Sequence, residues 1–305
     1  MKNLLKLLFT FTLMLASQEG FSDQSNLEKL YHDSLRQEYA SLSNLKAKAQ
    51  KRKTAYIVSG ILAILLLFVF IYFFKLFGLF VALIMIGAGY WTLKSSESIV
   101  GKYEKRFKRD IISPIAKLTA GFSHGEGKVG QKDLEDSHLF AARIKQFAAW
   151  DMYEKKGAKF SYIHVVFDTK ENASLERMAE NIFEGFLIMI DKKNQKEGVL
   201  VSQVLRDKVA DMDLTMSSFF AKGKRGGSVN GFDIYGDVSQ EDRDKTSPLK
   251  NQKIAISYQK DKTIIALYHR SNPLAVDIFK TFDLAHAKKY ASTIAEIEEV
   301  IQSLK

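Results

Sequence analysis

A chain of 305 residues with a formal charge of +10 and no cysteine has no route to disulfides, zinc ribbons, thiol nucleophiles or cysteine-ligated clusters. The charge does not mark a nucleic-acid binder, because it gathers in two short stretches: residues 23–53 carry +3 and residues 94–109 carry +4, against +1 for everything from Asp110 onward. Between them lies a run of nearly uninterrupted apolar residues, and setting it and its flanks aside leaves roughly 190 residues, enough for one well-buried core.

In chain order, residues 1–22 form a signal-like or interfacial apolar segment, with Lys2 at its start, an apolar stretch from Leu4 to Ala16 broken by Lys6, and small residues at Gly20 and Ser22. The segment passes as a signal peptide, and reads otherwise as a short interfacial helix, an extra anchor or an upstream mis-start with Met14 as an alternative first residue. Residues 23–53 read as an amphipathic helix, with Leu27, Leu30, Tyr31, Leu35, Leu42 and Leu45 on an approximate stripe. From Thr54 to Leu93 the only charge is Lys75. Its two halves, Thr54 to Phe74 and Leu76 to Leu93, are each near the ~20 residues that cross ~30 Å of hydrocarbon, so a transmembrane helical hairpin is expected over residues 54–93.

Both flanks of that run are basic, which places both on the cytoplasmic side and Lys75 at the outer tip. Lys51, Arg52 and Lys53 on one side, and Lys102, Lys105, Arg106, Lys108 and Arg109 on the other, are the candidate contacts to anionic lipid headgroups. A cleaved signal at the N-terminus would predict the reverse orientation. Residues 94–120 then read as a juxtamembrane helix, capped at Ser95 or Ser96, that presents Ile99, Tyr103, Phe107 and Ile111 every four residues. The two flanking helices suit an antiparallel stalk, or each stripe packs separately on the lobe; Pro114 should kink or end the second, with Gly121 to Gly130 as a turn or hinge.

Residues 121–305 are expected to be a cytoplasmic α+β domain. Lys159 to Phe167 has the β-branched and aromatic content of a strand, and Glu176 to Ile190 suits a helix or a helix-to-strand transition. Gly198 to Val201, Leu214 to Phe220 and Phe232 to Tyr235 are short strand candidates. Lys253 to Tyr258 and Thr263 to Tyr268 form the clearest hairpin, joined by Gln259 to Lys262. Ala287 to Leu304 closes the chain as a helix with Tyr290, Ile294, Ile297, Ile301 and Leu304 on one face. The fold class is therefore α+β: a two-helix transmembrane hairpin with a helical stalk, then one lobe with a mainly antiparallel sheet and packing helices.

Candidate chemistry is sparse. Lys222 to Gly227 (KGKRGG) has phosphate-loop composition without the spacing of a P-loop, and reads as a solvated hairpin loop. Asp211 with Asp213, and Glu241, Asp242 and Asp244, lack the spacing of a calcium loop and read as wet turns. Six histidines include no HExxH pair, and His164 in its strand reads as a packed or surface residue. No GxSxG elbow organises a serine. No catalytic, cofactor or metal residue is assigned, and no cofactor is expected.

Several segments resemble the bacterial membrane-protein family catalogued as domain of unknown function 3137: SHLF from Ser137, WDMYEKKGAKFSYIHVVFDT from Trp150, IFEGFLIMIDKKNQKEGVLV from Ile182 and GFDIYGDVSQEDRDKTSPL from Gly231. The resemblance spans roughly residues 96–280. Arg243 is followed here by Asp244 where that family's block opens an apolar helix. It implies a multi-pass protein of the bacterial inner membrane with a cytoplasmic α+β domain, and it implies no activity and no functional residues.

The leading expectation is a bacterial integral membrane protein whose lobe is a non-enzymatic, membrane-anchored interaction or scaffold module. Its expected partners are membrane lipid and an unknown protein, with no nucleic acid and with homo-oligomerisation left open. The alternatives are a membrane-proximal enzyme, with Asp211, Asp237 or Glu241 in a pocket, and an envelope or lipid sensor.

Overall fold

The computed structural model describes residues 25–125, 127, 129–140, 143–167, 182–205 and 225–305, and the apolar segment read over residues 1–22 lies outside them. The chain divides into two compact units. The first comprises residues up to Ile115 together with Ala275–Lys288, and the second comprises Ala116–Leu274 and Lys289–Lys305.

The first unit is helical. Residues 25–30 are helical and lead into a π-helical turn at Tyr31–Leu35, helix α1 (Arg36–Ser41) and helix α2 (Ser43–Phe107). The stripe read from residues 23–53 is buried at Leu27, Leu35 and Leu42, and Ala49 extends it by the seven-residue step that separates Leu35 from Leu42. Tyr103, Phe107 and Ile111 of the second stripe are buried as well. The stripes meet: the Tyr39 ring lies edge-on to Phe107 at 6.2 Å, and both stand within 5.6 Å of the Phe282 ring.

Helix α2 contains 65 consecutive helical residues, where two separate spans were expected. Among the described residues one window, Ser43–Val69, is long and apolar enough to cross a membrane, with a mean hydropathy of 1.8. A straight helix of that length would hold its ends roughly 97 Å apart at 1.5 Å per residue. Its ends instead lie together, as the Tyr39 to Phe107 contact requires.

Pro114 does not end the second helix. A π-helical turn at Lys108–Ile112 precedes it, and helix α3 (Ser113–Ala120) continues through it; Pro114 sits in the first turn of α3, where proline is tolerated. The stop comes at Gly121, whose φ of +74° lets its N–H reach Lys117 O at 3.0 Å while Phe122 N–H reaches Ala116 O at 3.2 Å.

The second unit is built on a nine-stranded antiparallel sheet in the order β1-β2-β3-β4-β9-β8-β5-β7-β6. The strands are β1 (Ser123–Gly125), β2 (Ile144–Lys155), β3 (Ala158–Phe167), β4 (Ile182–Asp191), β5 (Gly198–Ser202), β6 (Arg225–Val229), β7 (Phe232–Gly236), β8 (Ile254–Tyr258) and β9 (Lys262–Tyr268). The expected α+β class, antiparallel sheet and packing helices are present. Ile182–Asp191 is wholly strand, which corrects the helical option over Glu176 to Ile190. The candidate at Leu214 to Phe220 lies outside the described residues.

Strand alternation sorts the side chains onto two faces. One face carries Ile163, Val165, Phe183, Leu187, Val199, Ile264 and Ala266 and is met by Leu134, Leu139 and Phe140, from helix α4 (Gln131–Asp136) and the residues after it. The other carries Tyr153, Phe160, Phe186, Ile188 and Ile265 and receives the C-terminal helix α6 (Leu284–Leu304). Lys155 Nζ ties that helix down through the Glu298 carboxylate, Ala120 O at 3.2 Å and the face of the Phe122 ring at 4.5 Å. Lys192 Nζ donates to Leu304 O at 2.8 Å and to Asp242 Oδ1 at 3.0 Å.

Candidate functional site

The residues read as lipid contacts sit where helix α2 leaves and re-enters the basic flanks. Lys51, Arg52 and Lys53 are exposed, as are Lys102, Lys105, Arg106 and Arg109, with Lys108 half-buried. They are not equivalent. Arg109 makes a bidentate contact with Asp110, Nε at 2.6 Å and an Nη at 3.1 Å, and Arg106 Nε stands 3.6 Å from the same carboxylate. The Asp110 hydrogen bond and charge push the Arg109 pKa up, so this guanidinium is already matched within the chain. Lys53 Nζ lies 5.5 Å over the Phe279 ring. Lys51, Arg52, Lys102 and Lys105 make no ion pair among the described residues and offer their charge outward.

Between these flanks the helix exposes most of its apolar side chains up to Val69, with Tyr56, Gly60, Ala63 and Leu67 half-buried along one stripe. Ile57, Val58, Ile61, Leu62, Ile64, Leu65, Phe68 and Val69 are 46% to 67% exposed, and none of the apolar window is buried against protein. A helix apolar all round is a core helix or a membrane span, and these side chains are not in a core.

In the second unit a cleft of about 500 Å³ is lined by residues that include Asp136, His138, Glu197, Tyr235, Ser257 and Lys260. Its polar groups hold the fold: Gln259 Nε2 donates to Asp136 O at 2.5 Å, Lys260 N–H to Glu197 Oε1 at 3.1 Å and Ser257 Oγ to Ser137 O at 2.5 Å. No group of three His, Cys, Asp or Glu able to hold a metal ion occurs among the described residues.

The acids considered for an enzyme do not converge. Asp237 pairs with Lys196 Nζ at 2.8 Å, Glu241 pairs with Lys245 Nζ at 2.8 Å, and Asp211 and Asp213 lie outside the described residues. Glu241, Asp242 and Asp244 are not a wet turn but part of helix α5 (Gln240–Lys245), whose N-cap Ser239 Oγ accepts from Asp242 N–H at 3.1 Å. Of the KGKRGG loop, Lys222 to Lys224 lie outside the described residues, and Arg225 to Gly227 belong to edge strand β6.

The sheet assembles one cluster that sequence reading misses. Across β3, β4 and β9, His164 lies opposite Glu184, which lies opposite His269. His164 Nδ1 is 3.0 Å from Glu184 Oε1, and His269 Nε2 is 3.5 Å from Glu296 Oε2 of α6. In the next row Trp150 faces Tyr162 at 6.1 Å, and Tyr162 donates its hydroxyl to His269 O at 3.1 Å. Burial pushes the Tyr162 pKa well above its ordinary value, so the hydroxyl stays protonated at neutral pH and keeps that hydrogen bond. Tyr153 is shifted up in the same direction, by burial first and then by Asp151.

Comparison with family models, curated proteins and solved structures gives no match.

The row therefore stands on its geometry: two His to carboxylate pairs flanked by aromatics. The only sequence signal for it is strand composition around His164, since the pairing depends on register across three strands.

Proposed function

We propose that this chain is an integral membrane protein whose helix α2 crosses a bilayer twice as a hairpin and tethers the sheet unit, as a non-enzymatic interaction or scaffold module, at the cytoplasmic face of a bacterial inner membrane. The observation that carries the reading is the Ser43–Val69 span, long and apolar enough to cross a membrane, whose large apolar side chains from Ile57 to Val69 mostly stand exposed. Hydrocarbon is the solvent in which such a surface is at its lowest free energy.

Two crossings are supported by the contact between Tyr39 and Phe107. The residue midway between them is Phe73, beside Lys75, the only charge from Thr54 to Leu93. A reversal there leaves about 20 apolar residues on each side, roughly 30 Å of helix, the thickness of one hydrocarbon core. The cytoplasmic orientation follows from Lys and Arg on both flanks, and the resemblance to domain of unknown function 3137 agrees with it. A membrane-proximal enzyme is the second reading, and the cleft beside His138, a residue held at φ +54°, is what favours it.

The absence of native cysteine makes topology directly measurable. Single cysteines at Ser41, Lys75 and Lys305 are labelled in intact cells with a membrane-impermeant thiol reagent, with detergent-opened cells as the accessibility control. Labelling at position 75 alone is the expected result. Labelling at 41 and 305 but not at 75 reverses the orientation, and labelling at only one of 41 and 305 removes the second crossing.

A further inference from the structure

The stretch from Ala275 to Phe282 is far in sequence from the apolar run, yet it belongs to the same compact unit. Three side chains of α2 fix it. Lys46 Nζ donates to Lys280 O at 2.6 Å, Gln50 Nε2 donates to Ile278 O at 2.6 Å, and Lys53 Nζ lies 5.5 Å over the Phe279 ring. Positions 46, 50 and 53 lie on one face of a helix and climb roughly 10 Å along its axis. They climb toward Thr54, where the apolar run begins.

The strap turns two of its apolar side chains inward and one outward. Ile278 and Phe282 are 2% and 6% exposed, and Phe282 packs against Tyr31, Tyr39 and Phe107. Phe279 is 50% exposed. Its N–H is held by Asp277 Oδ1 at 2.9 Å, an Asx turn that sets its direction. Of the strap residues held by α2, the outward aromatic is the one held by the side chain nearest the apolar run, and its partner is a lysine of the basic cluster Lys51 to Lys53.

We propose that this strap is a second membrane contact, in which Phe279 enters the headgroup region of an anionic bilayer beside the point where α2 enters the hydrocarbon. An aromatic ring at that depth is in the environment that aromatic belts occupy, with its apolar body in the acyl boundary. Lys53, on its flexible stem, reaches the phosphate level while covering the ring. Lys280 and Arg52 add positive charge toward the same headgroups, with Lys280 3.9 Å from Asp277 on the strap itself. The inference rests on the membrane reading of α2 and adds that the connection leading into α6 is pinned to the bilayer surface.

The chain's two tryptophans, Trp91 and Trp150, allow the two ideas to fail separately. One protein carries Trp150→Phe, leaving Trp91 in the apolar run as the sole reporter. A second carries Trp91→Phe, Trp150→Phe and Phe279→Trp. Both full-length chains are reconstituted into vesicles of equal parts phosphatidylcholine and phosphatidylglycerol, brominated either near the headgroup or near the acyl-chain end. The expected result is quenching of the tryptophan at 279 by shallow bromines, more strongly than by deep ones, with emission blue-shifted relative to the denatured chain. Quenching of Trp91 without quenching at 279 overturns the strap contact and leaves the membrane reading standing. A blue shift at 279 that grows with protein density and is insensitive to bromine overturns it in favour of a second copy of the chain. No quenching of Trp91 overturns both.

Discussion

The two units solve the problem of apolar surface in opposite ways. In the sheet unit the large apolar residues left exposed among the described residues are Leu118, Trp150 and Val204; in the helical unit Phe279 and ten residues from Ile57 to Tyr72 are exposed. The sheet unit closes because strand alternation supplies two apolar faces and the fold supplies a cover for each. The helical unit has a buried seam at Leu35, Leu42, Ala49, Tyr103, Phe107 and Ile111, and among the described residues beyond it the large apolar side chains from Ile57 to Tyr72 mostly stand exposed. The difference teaches that strand alternation lets the sheet unit bury its apolar residues, while the helical unit leaves a run of them exposed next to its basic residues.

The sharpest way to break one unit without the other is Gly185→Ala. A Cβ there would stand 2.1 Å from Leu267 O and 3.0 Å from Tyr268 Cα, across the β4 to β9 pairing at the middle of the sheet. Backbone cannot yield as a side chain does, so the cost is about 3 kcal/mol or more. In detergent-solubilised protein the strand signal in circular dichroism and the protease resistance of residues 143–274 should be lost while the helical span stays protected. The reciprocal experiment is Leu42→Ala, at a fully buried position of the seam. Its expected cost is about 2–4 kcal/mol from lost burial and the cavity left behind. Proteolysis should then open residues 25–53 first, with the sheet unit's melting unchanged.

A smaller effect sharpens the account of how α6 is held. The Lys155 and Glu298 side chains are 14% and 19% exposed, and Lys155→Met strands a half-buried carboxylate at a cost of about 1–3 kcal/mol. Adding Glu298→Leu should restore much of it, a coupling that a double-mutant cycle in urea reads directly.

The smallest effect is pH-dependent and confined to the helical unit. Glu28 is held below its ordinary carboxyl pKa by its hydrogen bond to Lys288, at 2.7 Å, and Asp283 by the His286 N–H and ring at the start of α6. A depressed carboxyl pKa stabilises above the unfolded value and loses that contribution as pH falls through the folded one. The helical unit should therefore loosen slightly below the ordinary values of 4.5 for Glu28 and 3.8 for Asp283, and Glu28→Gln with Asp283→Asn should flatten that part of the profile. Both groups are fully exposed, so the change should amount to a small shift in melting temperature.

Much of the helical unit was legible in residues alone. Leu27, Leu35 and Leu42 announce their seam by spacing, and Tyr103, Phe107 and Ile111 announce theirs by a four-residue step, because helix period is local. Strands β3, β5, β7, β8 and β9 were readable from β-branched runs and turns. Strands β1 and β2 were not. Ser123–Gly125 is three residues long, and β2 carries bulges near Gln146 and Asp151 that break its alternation. Pro114 reads as a kink or an end, and the helix does not end there: a π-helical turn at Lys108–Ile112 comes before it and Pro114 sits in the first turn of α3.

What Thr54 to Leu93 and its basic flanks determined by themselves was a solvent preference: a run with one charge seeks hydrocarbon whatever the rest of the chain does, since transfer free energy is a property of the residues. Only the tertiary structure decided which distant residues keep company. It placed Glu184 between His164 and His269, and it laid Ile278, Phe279 and Lys280 along Lys46, Gln50 and Lys53. Such meetings depend on strand register and on where a loop returns, and those are set by the packing of the whole unit and not by any local pattern.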